Sequence, residues 1–134
     1  MCRIERFANL AQQVAIDDTD PLCAYNLGAV ITKGSRIIAT GACSTKTDPK
    51  NPKWRSPTLR TQICAEVKAC FAAQRLLGAC LKGCDLYVVR VSKASGQCRM
   101  ARPCRHCQAY LREVGIRRVY YTDRDGEIAQ LSLN

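Results

Sequence analysis

The sequence predicts an α/β fold: one three-layer α/β/α domain over residues 1–134, with a mixed five-stranded sheet whose last two strands are antiparallel. Three observations predict it. The chain has 134 residues with 47% apolar side chains, which suits a single domain around one core. Its apolar periodicity changes along the chain in the order α-β-β-α-β-α-β-β. The last two strands are separated only by Asp123-Arg124-Asp125-Gly126, too short for a crossover helix, so they must run antiparallel.

Each element has a local reason. Over residues 3–15, Ile4, Phe7, Leu10, Ala11 and Val14 fall at helical intervals, and Asp17-Asp18-Thr19-Asp20-Pro21 ends that helix. Residues 25–31 and 36–42 are short apolar runs about Lys33-Gly34-Ser35, which predicts a hairpin. Residues 44–60 carry Ser, Thr, Asp, Asn, Lys and three prolines and read as a long polar loop, a length often kept for function. Residues 62–77 read as a helix with Ile63, Val67, Cys70, Phe71 and Leu77 on one side. Residues 86–91 form a β-branched strand, and Gly96 turns the chain. A second buried-face helix spans 104–114 and stops at Gly115. Strands follow at 117–122 and 127–133.

Composition narrows the function classes. No run of about 18 apolar residues exists, so no membrane span is expected. Met1 to Leu10 lacks a long apolar stretch, so no secretory leader is expected. Ten cysteines in such a chain imply a reducing compartment, the cytoplasm, with thiols unpaired or metal-bound. The formal charge of +10 leaves two readings open: a phosphate-bearing partner, nucleotide or nucleic acid, or a solvated basic surface.

The chemistry concentrates in two motifs. Cys64-Ala65-Glu66 opens one predicted helix, and Pro103-Cys104-Arg105-His106-Cys107 opens the next across an intervening strand. Three thiols at this spacing can hold Zn²⁺ and leave one coordination position open. Such a metal lowers the pKa of water enough to give hydroxide near neutral pH. Glu66 stands two residues from a ligand, close enough to shuttle protons. A helix N-terminus carries partial positive charge, which favours thiolate, the ligating form. Cys104 and Cys107 stand three apart and so share a helix face, with Pro103 just outside the turn. A structural zinc is the competing reading, since a closed site wants four protein ligands. Its nearest fourth candidate is His106, the sole histidine, which would point off that face, towards the pocket rim or solvent. The other seven cysteines, Cys2, Cys23, Cys43, Cys70, Cys80, Cys84 and Cys98, are expected to be small buried side chains.

On these residues the sequence resembles the cytidine deaminase-like superfamily, which includes cytidine, deoxycytidylate, blasticidin-S and tRNA adenosine deaminases. The match covers nearly the whole chain, including Gly28-Ala29-Val30-Ile31 and Ile37-Ile38-Ala39-Thr40-Gly41. The resemblance implies the cytidine deaminase-like fold, zinc ligands at Cys64, Cys104 and Cys107, Glu66 as catalytic proton shuttle, and a backbone contact from Ala65 to the base. It also implies a homo-oligomer, dimer or tetramer. A Cys as first ligand is similar to the free-nucleoside cytidine and blasticidin branch, and antiparallel final strands are similar to the cytidine deaminase branch and to some toxin deaminases acting on DNA. One departure matters. The Asn and Glu that hold the ribose in cytidine deaminases correspond here to Cys43 and Thr45. Asn26 has two readings, a substitute in that recognition or a plain strand-edge residue.

Substrate contacts are expected from two basic clusters. Lys46, Lys50, Lys53, Arg55 and Arg60 lie in the long loop, and Arg99, Arg102 and Arg105 lie around the second ligand motif. Arg102 and Arg105 are the candidates for a nucleotide phosphate; charge reversal at both that left KM unchanged would exclude them. Trp54 is either a stacking platform or lid for the base, or a packing anchor for its loop. The implied activity is zinc-dependent hydrolysis of a C–N bond, of cytidine or deoxycytidylate type. The leading reading is cytosine to uracil in a nucleoside or nucleotide, with zinc-activated hydroxide as nucleophile. The alternatives are an editor of a base within single-stranded DNA or RNA, and a non-catalytic binding module.

Overall fold

The computed structural model describes residues 2–19, 21, 23, 25–43 and 65–133. Helix α1 (Arg3–Asp18) runs three residues beyond the predicted end and buries Phe7, Ala8, Ala11, Val14 and Ala15 along one stripe. Strands β1 (Asn26–Lys33) and β2 (Arg36–Ala42) form the expected antiparallel hairpin. Gly34 makes its turn with φ +63°, a conformation that other side chains rarely adopt. The predicted polar loop at 44–60 lies outside the described residues. Helix α2 (Ala65–Leu77) follows, then β3 (Asp85–Val91), β4 (Cys98–Arg99), α3 (Arg105–Val114), β5 (Arg118–Thr122) and β6 (Ile128–Ser132).

The sheet order is β2-β1-β3-β5-β6, with β4 paired to β3 off that path. The β3–β5 pair is parallel, and the β5–β6 pair is antiparallel as expected. The predicted five strands are therefore joined by a sixth, β4, where only a turn was expected. Two residues are too few to show any periodicity, so β4 is visible only through its pairing with β3.

Alternation sorts the core into two faces. Val30, Tyr87, Val89, Val91 and Tyr120 pack against α1. Ala29, Ile31, Leu86, Val88 and Val119 pack on the opposite side with α2 and α3. Two glycines let the helices approach. A Cβ on Gly28 would lie 2.3 Å from Ala11 O of α1, and one on Gly41 would lie 2.5 Å from Ala69 N of α2. Of the seven cysteines expected to be buried, Cys23, Cys43, Cys70 and Cys84 are. Cys98 is half-buried, and Cys2 and Cys80 are exposed, because they sit before α1 and beyond the end of α2 rather than on a core face.

Candidate active site

The N-terminal ends of α2 and α3 meet on the α2/α3 face of the sheet. Glu66 is the second residue of α2 and only 3% exposed. Cys104 is the N-cap of α3, and Cys107 lies buried in its first turn. All three line one recess of about 160 Å³, together with Leu27, Ala101 and Pro103. A cavity of about 150 Å³ is enough to hold one aromatic ring. Burial raises the Glu66 carboxyl to about 7; the Cys107 side chain, hydrogen-bonded to it, pulls it down, and the charge of Cys104 pushes it up. Glu66 can therefore exchange a proton near neutral pH.

The segment carrying the cysteines is fastened from behind. Thr122 Oγ1 donates to Arg99 O at 2.6 Å, and the Ala101 N–H donates to Thr122 O at 2.8 Å. Gln108 Nε2, one turn into α3, donates back to Pro103 O at 2.7 Å. The end of β5 and the helix itself thus hold residues 99–104 in place.

The other expected site residues are dispersed. Ala65 is the first residue of α2 and fully buried beside Glu66. Arg102 is exposed and lines the recess, whereas Arg105 is exposed on α3. Asn26 opens β1 in register with Val91; the even-numbered β1 positions face α1, and its neighbours Tyr25 and Leu27 line the recess instead. Asn26 is thus at the strand edge and is not among the residues that line the recess. Cys64, Thr45 and Trp54 lie outside the described residues. The sequence reading missed Arg90 and Tyr25. The Arg90 guanidinium stacks 4.1 Å from the Tyr25 ring centroid, and both line the recess. The available signal was an arginine, Arg90, next to the last position of a mostly apolar strand.

Residues 1–123 match the model of the cytidine and deoxycytidylate deaminase zinc-binding region. The chain belongs to this family. An uncharacterised deaminase in the luxG 3′ region of Aliivibrio fischeri is 31% identical over 96% of this deaminase and 82% of that protein. Among solved structures, cytidine deaminase from Burkholderia pseudomallei aligns with a TM-score of 0.68 at 17% identity, over 96% of this chain and 91% of that one. Guanine deaminase from Bacillus subtilis aligns with a TM-score of 0.61 at 26% identity, over 90% of this chain and 64% of that one. The deaminase is thus a hydrolase acting on C–N bonds, and its cofactor is Zn²⁺.

The described residues of this deaminase fit a metal of that kind. Two soft sulfur donors, Cys104 and Cys107, stand at the positively polarised end of α3 and line the same recess as Glu66. Two thiols leave room for a third ligand and one open position in a tetrahedral site. Among the described residues no helix is long and apolar enough to cross a membrane.

Proposed function

We propose that the chain is a single-domain, zinc-dependent nucleobase deaminase that converts cytosine to uracil in a small nucleoside or nucleotide. One observation carries this: Glu66, Cys104 and Cys107 share a recess sized for a single ring, with the carboxyl held near neutrality by burial. Cys64, Cys104 and Cys107 would hold the metal. Bound Zn²⁺ supplies Lewis acidity and makes the hydrolytic water acidic at neutral pH.

The protein's own groups do the rest. Glu66 accepts a proton from the water and passes it to the ring nitrogen next to the amine-bearing carbon. It then moves a second proton to the departing amine. Water adds, ammonia leaves and a carbonyl remains, so the step balances without an oxidant or reductant. Leu27, Ala101 and Pro103 give the recess apolar walls against which a ring can pack. The antiparallel β5–β6 pair is in keeping with the cytidine branch and with deaminases that act on DNA.

The net charge of +10 supports a second reading, deamination of a base within a single strand of DNA or RNA. Ammonia release by zinc-loaded protein tests both, against nucleosides, mononucleotides and single-stranded oligonucleotides, with Glu66→Ala as control. Turnover of a cytosine mononucleoside or mononucleotide, lost in the variant, is the expected result. Turnover of oligonucleotides alone would replace the first reading with the second. No turnover anywhere would overturn both.

A further inference from the structure

A second cleft of about 540 Å³ opens beside the recess. Tyr25, Arg90 and Met100 line both, so the two adjoin. Arg90, Lys93, Arg99 and Arg124 contribute four cations to the outer cleft, and among the described residues none that lines it is acidic. The cations come from three places: the end of β3 and the turn after it, β4, and the β5–β6 turn.

Their arrangement is costly unless an anion joins them. Arg90 and Arg99 are directly opposed in the antiparallel β3–β4 ladder. Like charges in that position repel. Arg90 Nε is buried and has no hydrogen-bond partner among the described residues, a donor that ordinarily finds an acceptor. The Arg90 guanidinium sits over the Tyr25 ring, which helps to hold it in place. The neighbouring acid Asp123 is engaged elsewhere: its Oδ1 accepts from the N–H groups of Asp125 at 2.9 Å and Glu127 at 3.0 Å. Lys93 Nζ already donates to Pro21 O and Cys23 O, so it adds field more than a new contact.

We infer that this outer cleft binds the phosphate group of the substrate, which makes the substrate a nucleoside monophosphate with its base in the inner recess and its phosphate on Arg90, Arg99 and Arg124. A planar guanidinium pairs bidentately with phosphate oxygens. The cleft volume falls within the ~300–1,000 Å³ range of small-ligand sites. A compact cationic cluster confined beside the ring-sized recess fits one phosphate group better than an extended strand. The assignment rests on the deaminase reading for the base but not for the phosphate.

The test is equilibrium binding by calorimetry to zinc-loaded protein, using cytidine, its 5′-monophosphate, inorganic phosphate and a short single-stranded oligonucleotide. The monophosphate should bind about tenfold or more tighter than the nucleoside, as one charge-assisted contact supplies. Inorganic phosphate should compete with it. Arg99→Glu/Arg124→Glu should collapse the nucleotide-to-nucleoside ratio towards one, and Arg99→Lys/Arg124→Lys should keep part of it. Arg36→Glu, an exposed reversal at the far end of the hairpin, should leave the ratio intact and so separates local from bulk charge. Equal affinity for nucleoside and monophosphate would overturn the inference, as would a double variant that weakens both alike. An affinity gain seen only with the oligonucleotide would also overturn it. Ammonia release measured in parallel keeps the two conclusions apart. Phosphate-dependent binding without turnover would sink the deaminase reading alone, and turnover without phosphate preference would sink this inference alone.

Discussion

Gly41→Ala should cripple catalysis out of proportion to its effect on stability. The Cβ introduced on β2 would stand 2.5 Å from Ala69 N, 2.8 Å from Ala65 O and 2.9 Å from Ala69 Cα, where ordinary contact begins at 3.4 Å. All three are main-chain atoms of α2, so no side chain can rotate away. Strand and helix must separate by about 0.9 Å to restore contact distance. Overpacking of this kind costs ~1–3 kcal/mol. The displaced helix is the one that begins with Ala65 and Glu66, so the proton-transferring carboxyl moves relative to Cys104 and Cys107 on α3. A misplacement of about 1 Å can lower turnover by ~10²-fold.

Gly28→Ala provides the comparison. Its Cβ would meet α1 at 2.3 and 2.4 Å, on the opposite layer. It should lose comparable stability while each folded molecule keeps its activity. Urea unfolding gives the first quantity, and ammonia release normalised to folded, zinc-loaded protein gives the second. Equal activity losses in the two variants, or full activity in Gly41→Ala, would refute the claim that the β2–α2 contact positions Glu66.

Three further outcomes are expected. Glu66→Gln should lower kcat by ~10²–10⁴-fold with zinc content and urea stability retained, because the amide fits the same buried space without transferring protons; loss of zinc in this variant would show the carboxylate to be a ligand instead. Chelation should abolish ammonia release and lower the thermal midpoint, with both restored by Zn²⁺; activity that survives complete zinc removal would contradict the mechanism. Burial, reinforced by the charges of Tyr120 and Asp85, pushes the Tyr87 phenol up to about 12. Its folded pKa exceeds the unfolded value near 10, so its contribution is complete below about pH 10 and is lost as pH rises through about 12. The stability difference between wild type and Tyr87→Phe should therefore shift against the wild type across that window, and a flat difference would show that the phenol stays protonated or is exposed.

Much of the architecture was legible because it depends on local rules. Gly34 and Gly115, with φ of +63° and +100°, mark a turn and a helix stop where sequence alone places them. The hairpin, the three helices and the antiparallel last pair follow from periodicity and from the length of the turn between them. The motif Pro103-Cys104-Arg105-His106-Cys107 announces its chemistry because ligand spacing on a helix is itself local.

What escaped the sequence is what strand pairing assembles. Asn26 had two readings in the sequence, and strand register alone brings its neighbours Tyr25 and Leu27 to the recess. Asp85 and Arg117 form an ion pair at 3.0 Å between β3 and the residue preceding β5, which neither local stretch suggests. Arg99 was expected near the site with Arg102 and Arg105, but its grouping with Arg90 and Arg124 emerges only when β4 pairs with β3 and the β5–β6 turn meets them. Sequence by itself determined the helices, every strand but β4, and the spacing of the candidate ligand thiols, since these are set by neighbours within a turn or two of the chain. Only the tertiary structure decided which cations share a cleft and how closely α2 is held to β2, because those depend on strand register and on contacts between backbones far apart in sequence.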